Sequence, residues 1–417
     1  MATSSPLALT TTTTDAVNSA MKEHYKPQRI KNMVYENNPL LALMPKYESF
    51  TGENLPIPII VTGPQRRSAT FGTGQDNTSN STLRQFLLTR VKDYSFACIE
   101  HEAIKASAGN ADAFVRYATM EIDGAIHSLK RSMAVSMYRD GTGSIGQSED
   151  NPGGGTTTMT LINKEDVANF EVGMEIAFYD NGGTGGAPST ARSANRTISA
   201  VNRASTTNQL TFSAAIDAGV AYTDHLIQAG DLNAKMKGLE SWCPETAPTT
   251  GDSHFGVDRT ADVTRLGGNR FDGSALPIEE ALIEGASLVS REGGAPDHIF
   301  MDFASYANLE KALGSKVQYD KVKSSDADVG FDALIINGPR GRMKIIPDHN
   351  CQPNVAWMLQ LNTWSLNTLG GAPQILDGDG VGTMLRVSNL DAYEVRVGMY
   401  GNIACTAPGY NCRVALA

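Results

Sequence analysis

Residues 53–99, ENLPIPIIVTGPQRRSATFGTGQDNTSNSTLRQFLLTRVKDYSFACI, restrict the possible folds more than any other stretch of the chain. Leu55, Ile57, Ile59 and Val61 alternate as on one face of a strand, but Pro56 and Pro58 cannot donate to a ladder, so this strand must lie at an edge. Phe86, Leu88, Tyr94, Phe96 and Cys98 share one parity of a second strand, and residues 63–82 between the two are polar and Gly-rich. The pattern predicts a long two-stranded hairpin with a polar tip, reaching about 40 to 50 Å at about 3.3 Å per residue. A compact core has no use for an arm of that length. It is expected either to be disordered or to rest on a neighbouring molecule.

After the hairpin the hydrophobic period changes. Phe114, Ile122, Ile126, Leu129, Met133 and Met137, with Ala118 in register, are spaced by threes and fours, which predicts a helix over about 110–140. Asn110 suits its start, and Gly141 suits the position just past its end. Its end runs into GTGSIG, residues 141–146, which matches the G-x-G-x-x-G fingerprint of dinucleotide-binding proteins. That fingerprint needs a strand before it and a helix N-terminus after it to face a pyrophosphate. Here a helix precedes it and the polar QSEDNPGGGTTT follows, so Gly141, Gly143 and Gly146 are read as a helix stop and a flexible exit.

A chain of 417 residues can hold two or three compact units. No apolar run approaches the roughly 18 residues of a membrane helix, and MATSSPLALTTTTTDAV lacks the basic region of a secretory signal, so synthesis and folding in a cytoplasm are expected. Five scattered cysteines, Cys98, Cys243, Cys351, Cys405 and Cys412, argue against a disulfide framework and a structural zinc site. A formal charge of -10 argues against tight wrapping by nucleic acid.

The order of parts is unusual. Residues 1–45 are Thr/Ser-rich and then mixed polar, with YENNPLLALMP as the one sizeable apolar cluster, an arm without a core of its own. Residues 46–105 carry the hairpin, and 106–155 the long helix. Residues 156–235 hold short strand-like runs (TTMTLIN, VGMEIAFYD, NRTISAVNR, NQLTFS, DHLIQ), predicting an inserted small β-barrel or sandwich. A Gly/Pro/Thr-rich crossing over 236–275 leads to an α+β domain at 276–375. Its helix–strand–helix spans 277–313, with Pro277 in the first turn, Gly293 at the end and a second helix running from Asp302 to Gly314, and a hairpin turns around Gly338 to Gly341. Residues 376–417 are read as returning strands.

GMEIAFYD in the insertion, FGVDRTADVTRLGG, the helix–strand–helix and the closing GMYGNIACTAPGYNCRV, taken in this order, resemble the major capsid (coat) proteins of tailed bacteriophages. The resemblance covers nearly the whole chain, and its specificity lies in the order of the motifs. It implies an α+β phage capsid fold with N-terminal arm, extended hairpin loop (E-loop), spine helix, peripheral and axial domains, and an inserted β domain. It further implies a structural protein of the virion, assembled in the host cytoplasm as hexamers and pentamers into an icosahedral shell around double-stranded DNA. Implied partners are the chain itself, a portal protein, a decoration protein, a separate scaffolding protein, and packaged DNA contacted weakly and non-specifically, with no membrane. Scaffolding is expected to be separate because about 45 residues precede the hairpin, too few for a fused scaffold. Some relatives cross-link a hairpin lysine to a neighbour's asparagine. Between Tyr47 and Val91 this chain has Arg66, Arg67, Arg84 and Arg90 but no lysine, so its tip cannot react in that way, and its arginines are expected to pair with carboxylates across subunit boundaries.

Candidate chemistry is sparse. DGDG at 377–380 resembles a calcium loop, yet Ser388 stands where the twelfth ligand should be, and an ordinary turn is preferred. HNC at 349–351 offers two metal ligands without a second pair. No catalytic, cofactor-binding or metal residue is assigned, no cofactor is expected, and the chain is read as a non-enzyme. The alternatives are an encapsulin-like compartment and a ligand-binding or enzymatic multidomain protein.

Overall fold

The computed structural model describes residues 38–77, 79–102, 111–149, 154–182, 187–204, 208–313, 319–322, 331–376, 384–387 and 390–417. Most of the expected arm, 1–37, and the DGDG turn lie outside the described residues. The chain forms two compact units, one from 94–130 with 373–398 and the other from 38–93, 131–372 and 399–417. Among the described residues no helix is long and apolar enough to cross a membrane.

In the first unit, strands Val91–Glu100, Gln374–Ile375 and Met384–Arg386 pair with the leading half of the long strand Ala392–Cys405. The single-parity expectation for the arm fails here. The hairpin closes at Thr89, Arg90 belongs to neither strand, and Val91–Glu100 continues with Ala97 and Ile99 buried while Tyr94 and Phe96 are exposed. One residue left outside the ladder moves every following side chain to the opposite face, because the strand period is two.

The spine helix, Ala111–Tyr138, starts and stops where its periodicity and glycine signals place it. Ala125, Leu129, Met133 and Met137 are buried along one stripe. Gly141 and Gly143 follow with φ of 93° and 87°. A Cβ on Gly143 would lie 2.4 Å from the Asp231 carbonyl oxygen, so both a left-handed backbone and a close approach require glycine there. Among the described residues, no helix follows the turn as the fingerprint would require. Instead Ser144–Gln147 is a strand.

That strand begins a six-stranded sheet containing Ser144–Gln147, His225–Gln228, Glu175–Tyr179, Ala191–Asn202, Gln209–Phe212 and Thr158–Thr160, in that spatial order. A bridge between Ser148 and Leu161 joins the two ends and closes the sheet into a barrel. Phe170, Ile176, Phe178, Ile198, Leu210, Phe212 and Leu226 fill it. All five strands expected over 156–235 are present. The sixth, upstream of 156, is invisible to periodicity because its buried positions are Ser144 and Gly146, too small to register as an apolar alternation, and the one large apolar residue packed on the core, Ile145, stands alone.

The α+β part is a seven-stranded mixed sheet ordered Asn269–Asp272, Cys412–Ala415, Val355–Leu359, His298–Met301, Gly341–Pro347, Phe331–Gly338 and Tyr319–Val322. Helix Ile278–Arg291 lays Leu282, Ala286 and Val289 on it, against Ile299, Met358 and Val414. Asp302 caps helix Phe303–Leu313 by accepting from the Ala304 and Ser305 amides. The expected crossing at 236–275 is no plain linker. It contributes the edge strand Asn269–Asp272, helices Leu239–Trp242 and Val263–Gly267, and the fully buried Trp242 and Leu266. Elements of two to five residues are too short to show a period.

Candidate assembly surfaces

The segment entering the second unit is tied to its own chain. Helix Pro39–Leu43 buries Leu40 to 1% exposure, and Met44 and Phe50 are buried with it. The Asn350 amide donates to Asn38 Oδ1 at 2.8 Å, and Lys46–Tyr47 pairs in parallel with Trp364–Thr368. The apolar cluster around Leu40 therefore has an intramolecular partner, where the sequence suggested an arm whose contacts lie elsewhere.

Strands Asn54–Thr62 and Thr82–Thr89 form the hairpin, with Ile57 opposite Phe86 and Ile60 opposite Leu83. Its inner face, Ile57, Ile59, Val61, Phe86 and Leu88, is buried. The Leu87 amide donates to the Phe255 carbonyl at 2.9 Å, Arg265 Nη1 to the Val61 carbonyl at 2.6 Å, and Asn402 Nδ2 to the Thr89 carbonyl at 3.0 Å. Arg90 donates to the Phe50 carbonyl at 2.8 Å and lies over its ring. The paired strands thus rest on their own subunit and not only on a neighbour. Arg90 is engaged at the base of the hairpin, and Arg66 donates to Asn80 Oδ1 within the tip.

The outer face differs. Pro56, Pro58, Ile60, Leu83 and Leu87 all point to solvent, with the cross-strand pair Ile60 and Leu83 exposed at 65% and 62%. The tip, a short helix Phe71–Asp76, displays Phe71 at 87% exposure beside the exposed Arg66 and Arg67. An apolar stripe of this kind on a polar surface marks a contact site. Alternation made the inner face legible in sequence. Nothing in it distinguished the outer face as the unpaired one, because the prolines read only as a bar to further strand pairing.

A buried polar joint fixes the end of the spine helix. Tyr138 Oη donates to Asp348 at 2.8 Å, Gln352 donates to the Tyr138 carbonyl and to Glu240 at 2.9 Å, and Trp357 donates to Gln352. Arg139 donates to Asp166 at 2.5 Å, which links the helix end to the barrel. Burial pushes the Glu240 carboxyl up to about 7, with Asp140 adding to the rise and Arg139 and Arg413 opposing it. Between pH 4.5 and about 7 the folded chain therefore keeps a proton that the unfolded chain has released, and stability falls as pH rises through that window. The loss amounts to about 3 kcal/mol at about 1.4 kcal/mol per pH unit. Glu240→Gln is expected to flatten this slope and to be the more stable protein at pH 8 in urea titrations; an unchanged slope would show that Glu240 is not the group responsible.

His349 stacks on Phe303 and lies 3.8 Å from Asp348, while Cys351 is buried. Among the described residues no three His, Cys, Asp or Glu side chains converge to hold a metal.

Residues 227–381 match the family model of the SU10 major capsid protein. No curated protein sequence matches the chain. A solved capsid asymmetric unit of cyanophage A-1(L) is similar in fold, with a TM-score of 0.53 at 10% identity, covering 94% of this chain and 96% of that one. A structure from Mycobacterium phage Ogopogo gives a TM-score of 0.43 at 10% identity, over 96% of this chain and 99% of that one. An encapsulin complex from Synechococcus elongatus gives 0.43 at 10% identity, over 98% and 96%.

Proposed function

We propose that this chain, a phage major capsid protein by its fold and by its matched segment, tiles an icosahedral shell of hexamers and pentamers around double-stranded DNA. The observation carrying this reading is the two-faced hairpin, stapled to its own subunit on one side and apolar and uncovered on the other. A second copy supplies the cover. Closed shells repeat one such contact many times, and each repeat removes the same Ile60–Leu83 stripe from water. The exposed arginines of the tip meet carboxylates on the neighbour, in keeping with a chain of net charge -10.

In this reading residues 46–105 are the reaching arm, 106–143 the spine, and the barrel from Ser144 to about 235 an insertion. The sheet around Val355–Leu359 forms the axial part. The shell is built in the host cytoplasm with a separate scaffolding protein, a portal and, on its outside, a decoration protein. DNA is contacted weakly, because the acidic chain releases few counterions on it. Electron microscopy of the purified protein tests the reading. Closed uniform particles or curved sheets are expected, whereas a dispersed monomer at high concentration would overturn it. Particles filled with an enzyme cargo instead of DNA would favour a compartment of the encapsulin type.

A further inference from the structure

The inner face of the hairpin ends in an aromatic dock. Phe86 is fully buried, its ring edge-on to Trp242 at 5.0 Å and to His254 at 6.0 Å. His254 lies 4.6 Å from Trp242 and 4.5 Å from Phe255, centroid to centroid. Phe255 holds φ at 45° in the tight turn between Ser253–His254 and Val257–Asp258, and its carbonyl receives the Leu87 amide. A bulky residue is strained in that left-handed conformation, so the turn persists because its surroundings hold it. They do so through Trp242 at 5.5 Å and Lys237 Nζ 4.8 Å from the Phe255 ring.

His254 is buried in this dock with Nδ1 3.4 Å from Ser241 Oγ and no partner for Nε2. The charged groups facing it are Lys237 and Arg259, both cations. Arg259 is held by Asp252 through two hydrogen bonds of 2.9 and 2.8 Å, which keeps that carboxylate engaged. A second proton on the imidazole would enter a dry site beside two positive charges, with no acceptor for the new N–H.

We propose that His254 is an acid-sensitive latch. In its neutral form the ring clamps Phe86, and with it the hairpin, onto the subunit; as an imidazolium it leaves the dock and frees the hairpin. Burial, then Arg259 and Lys237, hold this imidazole well below its ordinary value of 6.5. The unfolded or undocked chain therefore takes up a proton that the docked chain refuses, and docking weakens as pH falls below 6.5. The latch belongs to the single subunit, so its test does not depend on shell assembly.

The measurement is hydrogen exchange on the full chain at pH 7.5 and 4.5, reported as protection factors. In wild type, protection over Thr82–Thr89 is expected to fall about tenfold or more at the lower pH, in step with one linked proton. Helix Ile278–Arg291 should keep its protection. His254→Phe, which keeps a ring and cannot titrate, should leave the hairpin protected at both pH values. Unchanged protection in wild type, or an equal loss in His254→Phe, overturns the latch. Should that variant fail to fold, His254→Gln serves: it keeps a polar side chain that cannot titrate, so the hairpin must show the same protection at both pH values, and a loss at pH 4.5 equal to that of wild type also overturns the proposal.

Discussion

Ile60→Asp combined with Leu83→Asp is expected to abolish shell formation while leaving the subunit folded. Both side chains are more than 60% exposed, so their replacement costs the isolated chain only about 1 to 2 kcal/mol, the repulsion of two carboxylates directly opposite each other included. In an assembled shell the same two carboxylates would be desolvated without partners, at several kcal/mol each, repeated at every copy of the contact. Sedimentation and electron microscopy should find soluble, cooperatively unfolding subunits and no particles. Normal shells from the double variant would mean that the outer face is not the contact.

The second large effect concerns the segment leading into the hairpin. Leu40→Ala is expected to destabilise the isolated subunit by about 2 to 5 kcal/mol, the range for a fully buried leucine truncated to leave a cavity. The reason is that Leu40 is 1% exposed within its own chain, beside Met44. Urea unfolding of unassembled subunits is the check. A change under about 1 kcal/mol, together with failed assembly, would return Leu40 to the role of an intermolecular anchor, as its position in an otherwise polar arm first suggested.

These two variants separate packing within the subunit from packing between subunits. Replacing an inner residue removes packing that the subunit already possesses, whereas replacing an outer one removes packing that only assembly supplies. Glu240 and His254 act in opposite directions in acid: the first favours the folded chain as pH falls, the second favours release of the hairpin. A single pH profile of wild type would partly cancel them, which is why each is tested by its own substitution.

The sequence by itself determined the elements whose physics is local and repeated. The spine helix follows from a three-and-four spacing over 28 residues and a glycine stop. The hairpin follows from alternation broken by prolines, and the barrel from short strands with turn chemistry between them. The refusal of GTGSIG as a nucleotide site needed only the helix before it. What the tertiary structure decided depends on partners far away in the chain. Whether Leu40 is an anchor or a core residue depends on Asn350 and the strand at Trp364. The change of strand parity rests on Arg90 turning to Phe50. Trp242, His254 and Phe255 lie in a stretch with no period, yet they make the dock, because a site assembled from single side chains on separate short elements leaves no spacing in the sequence to read.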